Sequence, residues 1–397
     1  MDVVICDISA WEYWRTPPLL QDVEISVERF HRMVPQNSPL RHTVPYPRPN
    51  ARRADRLICS RILTDLKGLS IPVHVMVSEP RSLHASSLVH PHAMPSDLPR
   101  EHLIPLGNGL SVLSPELCLV LHRKRRDAMQ IAKMMFEACG IFTICPGSER
   151  LAAAMRDLVS SGALHRGCIS SDQRIYEFCG PTGIPIGTTG RDGEVLPWEP
   201  GFDRRGQITD LWKRPPLTST DRIARLLDEL DGPHRFKAAR RALSATIDGA
   251  ASPEEARALL MLCSDRWLGG EAWKKPLLNA RVDLTLEAKA LSHRSFLVAD
   301  ALWPETRGIL EVNGEVAHAD ENGFLIASGR TPALESMGYG VAELNHEQMA
   351  DLELFDAMLP TISRKLGLPL QKRTAAFLAR RDKLHRELFQ RPYEPSW

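Results

Sequence analysis

A chain of 397 residues is long for one hydrophobic core, so two or three domains are expected. Its 43% hydrophobic and 25% charged residues describe an ordinary soluble protein. No stretch approaches the run of about 18 apolar residues that spans a membrane. The formal charge of +1 does not exclude a nucleic-acid partner, because Arg and Lys cluster locally at RKRR (123–126), HRFKAARR (234–241) and the tail from Lys372 to Arg391.

The opening MDVVICDISAWEYWR lacks the basic, apolar and small-residue order of a secretory signal, which predicts a cytoplasmic protein. Cysteines 6, 59, 118, 139, 145, 168, 179 and 263 form no C-x-x-C pair, so buried free thiols are expected rather than a zinc site or a disulfide framework. In the first 120 residues, VVICDISA, PVHVMV, LIPL and LSVLSP read as short strands, and the prolines of VPYPRPN read as loop. His90 and His92 in VHPHAM have no companion ligands nearby in sequence and read as loop residues. Ser114-Pro115 then opens one helical run to Gly140, with Ser114 as N-cap and Pro115 in the first turn. Ser114 has no flanking glycines of a nucleophile elbow, so it reads as a cap.

Residues 180–221 are rich in Gly and Pro, but no strand feeds the glycines and GK[ST] is missing, so a connecting segment is predicted rather than a phosphate loop. Thr220-Asp221 caps a helix, and the basic helix HRFKAARRALSATIDG follows. From Ser252 the order becomes a Ser-capped, Pro-started helix (SPEEARALLMLC), then strands in LLNARVDLTL, HRSFLVADALW and RGILEVNG. A helix TPALESMG, a strand YGVAELN and a helix around LELFDAMLPTISRKLG complete it. His346-Glu347 begins like a zinc-protease motif, but Ala350 stands where the second histidine belongs.

The chemistry-bearing candidates lie in this last part. A hairpin turning at WPETRG would bring Asp300 and Glu311 side by side, and Glu255 on the preceding helix could reach the same edge. A carboxylate inside FLVADALW or GILEVNG must be paired, metal-bound or exposed at an edge. Oxygen ligands of this kind suit Mg²⁺ or Mn²⁺, which acidifies bound water and shields phosphoryl charge.

The segment from about 248 to 368 resembles the very-short-patch-repair-like endonucleases of the PD-(D/E)XK type, in their actinobacterial form. The resemblance rests on Ser252, Pro253 and Glu255; Asp300, Trp303, Pro304 and Glu305; Glu311, Gly314 and His318; and Arg330, Leu334 and Gly338. Residues 1–180 are similar to the AbiEi antitoxin-like domain, through ISAWEYWR, IPVHVMV, GLSVLSPEL and FEACG. The resemblance implies a restriction-endonuclease-like mixed sheet with flanking helices (α/β, within an α+β chain). It implies metal ligands Asp300 and Glu311 with assistance from Glu255 and His318; Asn313 or its backbone carbonyl would lie near the ion, and Arg330 would contact phosphate or pair with a local acid. The chain departs from that pattern at Asn313 and Ala327, where Asp is usual, at Thr331 in place of the second Arg, and in having no Lys two residues after Glu311.

The expected organisation is an AbiEi-like α+β domain (1–180), a linker and small helical segment (181–247), a nuclease-like domain (248–370) and a basic helical tail (371–397). The expected function is Mg²⁺- or Mn²⁺-dependent endonuclease cleavage of DNA, more than RNA, in a bacterial defence or toxin–antitoxin-like setting. Lys237, Arg240 and Arg241 would contact the DNA backbone, the N-terminal domain would offer a surface to a protein partner, and no membrane is involved. The competing expectation is a catalytically degenerate DNA-binding regulator that keeps the nuclease fold as scaffold.

Overall fold

The computed structural model describes residues 3–17, 50–78, 83–122, 127–145, 165–169, 175–179, 187–189, 195–202, 208–230, 236–313 and 321–389, with positions 28 and 32 besides. The chain is an α+β protein of helices and mixed sheets that divides into two compact units. One unit comprises 1–126, 143–201 and 210–236; the other comprises 127–142, 202–209 and 237–397. The helices expected to belong to a linker before 248 are thus shared out between two cores. Among the described residues no helix is long and apolar enough to cross a membrane.

In the first unit a five-stranded sheet runs β3-β2-β1-β5-β4, with β1 (Val3–Ile5), β2 (Val73–Val77), β3 (Val89–Ala93), β4 (Leu103–Gly107) and β5 (Leu110–Leu113). β1 is antiparallel to β2 and parallel to β5, and β2 is parallel to β3. The central β1 and β2 are buried along their whole length, which is why they read as short unbroken apolar runs. VHPHAM is not loop: Val89–Ala93 forms β3, in register with β2. The sheet is joined by α1 (Asp7–Arg15), α2 (Arg53–Arg61) and α3 (Pro115–Leu121).

The single helix expected from 115 to 139 is two. α3 ends at His122, whose ψ of 105° leaves the helical region, and α4 (Ala128–Cys139) starts afresh with the Asp127 side chain accepting the Met129 N–H. The RKRR run and the prolines of VPYPRPN lie outside the described residues. The helix Thr220–Glu229 is capped by Ser219, one residue ahead of the expected Thr220. The six cysteines whose state is described are buried free thiols, as expected.

The second unit contains α4, α5 (Lys237–Ala245), α6 (Pro253–Cys263) and a four-stranded sheet, β6 (Leu277–Asp283), β7 (Phe296–Trp303), β8 (Gly308–Asn313) and β9 (Gly340–Asn345), in that spatial order. α7 (Leu286–Ser292) joins β6 to β7, and α8 (Glu321–Ser336) makes the crossover between the parallel neighbours β8 and β9. α9 (His346–Ala350), α10 (Leu352–Leu366) and α11 (Ala375–Phe389) follow. Leu302, Ile309 and Val341 form a row across β7, β8 and β9 and pack with Ala333 and Leu334 of α8. α6 starts as its sequence dictates: the Ser252 hydroxyl accepts the Glu255 N–H at 3.1 Å and Pro253 fills the first turn.

Candidate carboxylate site on the four-stranded sheet

The β7–β8 hairpin pairs Trp303 with Gly308, Leu302 with Ile309 and Ala301 with Leu310. One step further, that antiparallel register sets Asp300 across from Glu311. On the other side of β8, Glu311 pairs with Glu343 of β9. Three acidic residues therefore stand in one row on one face, two positions along each strand from the apolar row of Leu302, Ile309 and Val341. Asn279 of β6, at a left-handed φ of 48°, stands across from Asp300 between the Leu278–Ala301 and Ala280–Ala299 pairs.

The Asp300 Oδ2 accepts the Val312 N–H at 2.8 Å, and the Asp300 and Glu311 carboxyls share a hydrogen bond. Burial raises Asp300 above the usual carboxylate range. Burial first, then the neighbouring Asp300 charge, push Glu311 up to about 8 despite Arg330. Two such carboxyls titrate as a pair, and the pair holds a proton in neutral solution.

Arg330 of α8 lies over the same face. Its Nη2 donates to both Glu311 oxygens, at 2.9 and 2.7 Å, and to the Val298 carbonyl. Of the two roles expected for Arg330, a phosphate contact or a salt bridge to a local acid, the structure shows the salt bridge. Thr331, where the second arginine was missing, donates to Glu343 at 2.8 Å.

Glu255 does not complete a three-carboxylate shell. Its Oε2 accepts the Ala251 N–H at 2.8 Å and its Oε1 accepts the Ser252 hydroxyl at 3.1 Å, which serves the start of α6, and it also hydrogen-bonds Asn279 of β6. Burial and the more distant Asp300 charge raise it to about 7. Among the described residues, one group of three His, Cys, Asp or Glu side chains has all its ligand atoms within 4.8 Å of one another, and that group lies in the other unit: Asp7, His74 and His92.

Asn313 ends β8, its backbone in register with Asn345, while His318 lies outside the described residues. Lys237 and Arg241 are exposed on α5; Arg240 is half-buried. His346 pairs with Glu254 at 3.1 Å. Sequence reading missed Glu343, although EVN and ELN share the same E-x-N spacing on strands that prove to be neighbours in register. Comparison of the chain with family models, curated proteins and solved structures gave no match.

Proposed function

We propose that the second unit is a divalent-metal-dependent DNA endonuclease whose ion-binding residues are Asp300 and Glu311. The reading rests on one observation: a buried and a half-buried carboxyl are set side by side on adjacent strands, where desolvation raises both and the Asp300 charge raises Glu311 further. Such an arrangement costs stability in a protein with no use for it, and a divalent cation is the natural means of discharging it. Bound Mg²⁺ or Mn²⁺ supplies Lewis acidity and acidified water. The chain's part is to present the carboxylates from a rigid hairpin. Arg330, turned from Glu311 toward solvent, could neutralise phosphate, and Glu343 could accept a proton. The exposed Lys237 and Arg241 suit backbone contacts without sequence readout.

A second reading has its own support. Arg330 already supplies Glu311 with a cation, and no lysine follows two residues later, so the sheet could serve as the scaffold of a non-cleaving DNA-binding regulator.

The test is plasmid cleavage by wild type, Asp300→Asn and Glu311→Gln in Mg²⁺, Mn²⁺ or chelator. The nuclease reading expects metal-dependent nicking that falls at least about a hundredfold in both variants. No nicking by wild type, with salt-sensitive DNA binding unchanged in Asp300→Asn, selects the regulator. Equal nicking by all three proteins removes Asp300 and Glu311 from the chemistry.

A further inference from the structure

The first unit gathers histidines from segments far apart in sequence. β1 ends at Ile5, and Asp7 opens α1 at a φ of 51°, a left-handed backbone that Asp tolerates better than most residues. Non-glycine residues held in that conformation cluster at functional sites. β2 is locked to this corner from both sides: the Cys6 N–H donates to the His74 carbonyl at 2.9 Å, and the His74 N–H donates to the Ser9 hydroxyl at 2.9 Å. The parallel β2–β3 register sets His74 beside His90 and Met76 beside His92. The rings of His90 and His92 stack against that of His74, with centroids 4.9 and 5.2 Å away.

The ligand atoms are spaced as a small metal ion needs them. His74 Nδ1 lies 3.0 Å from His92 Nε2 and 3.6 Å from Asp7 Oδ2. With metal–donor bonds of about 2.0–2.1 Å in a tetrahedron, adjacent donors stand about 3.3–3.4 Å apart, between those two distances. The second Asp7 oxygen, Oδ1, lies 3.1 Å from His122 Nδ1 at the end of α3, an ion-pair contact outside hydrogen-bond geometry. It places the ring behind the carboxylate, where the outer partners of ligating carboxylates stand.

We propose that Asp7, His74 and His92 bind one divalent transition ion of the zinc class, with His122 as a positioning residue. Two imidazoles and one carboxylate favour such borderline ions over Mg²⁺. Three protein ligands leave a fourth position for water or substrate, the pattern of reactive rather than closed structural zinc sites. Asp7 and His74 are buried, whereas His92 is half-buried and His90 exposed, so β3 forms the open side. Binding breaks the His74–His92 hydrogen bond and displaces the proton it holds.

The untagged full chain is titrated with Zn²⁺ against a chromophoric chelator, and with Co²⁺ by visible spectroscopy. The expected result is one Zn²⁺ per chain at this site. His92→Gln, at a half-exposed position, should weaken it by about a hundredfold or more, and His122→Gln by roughly ten- to a hundredfold. Zn²⁺ binding at this site should be unchanged in Asp300→Asn. Visible Co²⁺ bands without a near-ultraviolet thiolate band should accompany it. The proposal is overturned if wild type binds neither ion, a result that requires no variant to fold. It is equally overturned if His92→Gln binds like wild type, if binding is lost in Asp300→Asn instead, or if a thiolate band moves the ion to the nearby Cys6 or Cys118.

Discussion

Glu311 is held between two carboxylates and one guanidinium, and its titration is a statement about stability. Its pKa, pushed up to about 8 in the fold from an ordinary 4.5, means that the folded chain binds the proton more tightly than the unfolded chain does. The contribution is therefore fully present below about pH 4.5 and is lost as pH rises through about 8. Glu255, raised to about 7, acts in the same direction over a narrower window. Wild type should lose melting temperature between pH 6 and 9, and Glu311→Gln should show a distinctly shallower loss; identical slopes would remove Glu311 as the titrating group. The same linkage bears on metal: an ion between Asp300 and Glu311 must displace the shared proton, so Mn²⁺ affinity should climb toward pH 8 and then level off. Arg330→Ala removes the countercharge. Its side chain is 30% exposed, so the cost should be about 1–3 kcal/mol, below that of a fully buried pair, and read by denaturant unfolding at pH 7.

At the scale of elements, contacts between strands close in sequence could be read ahead of the structure and distant ones could not. WPETRG between two apolar runs fixes the β7–β8 hairpin, so the Asp300–Glu311 adjacency was legible. Glu343 was not, because a parallel neighbour arrives only after the α8 crossover and nothing local sets its register. Glu255 was expected to assist the site because acids in a first helical turn serve caps and metals alike; its bonds to Ala251 and Ser252 give it the cap role, while its bond to Asn279 keeps it on the Asp300 side of the sheet. The histidine group failed to show for a different reason. Pro91 and two polar rings disguise β3 as loop, and its partners lie at positions 7, 74 and 122. Close packing gives this scale its own prediction. A Cβ at Gly340 would stand 1.8 Å from the Lys365 carbonyl oxygen near the end of α10. Gly340→Ala must therefore push α10 away from the start of β9, a backbone clash that no rotamer relieves. The expected loss is about 3 kcal/mol in chemical unfolding. The exposed Ser244→Ala on α5 should change stability by no more than about 0.5 kcal/mol.

At the scale of the whole chain, the helix expected as a basic tail packs into the second unit's core over residues 375–389. α11 buries Phe377, Leu384 and Leu388, and with them Arg381, which is fully buried. Arg381 donates through Nε to Asp356 of α10 at 2.5 Å, and through Nη1 to the Gly269 carbonyl at 3.2 Å. It also pairs with the buried Glu271 at 2.9 Å. Glu271 in turn accepts from the Gln371 N–H and from Arg373, so one buried carboxylate ties the loop after α6 to the approach to α11. A buried pair of this kind adds little net stability over an apolar replacement, yet removing one partner strands the other in a medium that cannot solvate it. Arg381→Ala should therefore cost about 3–5 kcal/mol. Arg381→Met with Glu271→Gln, which fills the space and abandons both charges, should recover a large part of that loss. If the double variant is no more stable than Arg381→Ala in urea unfolding, packing by the arginine stem rather than charge pairing holds α11 in place.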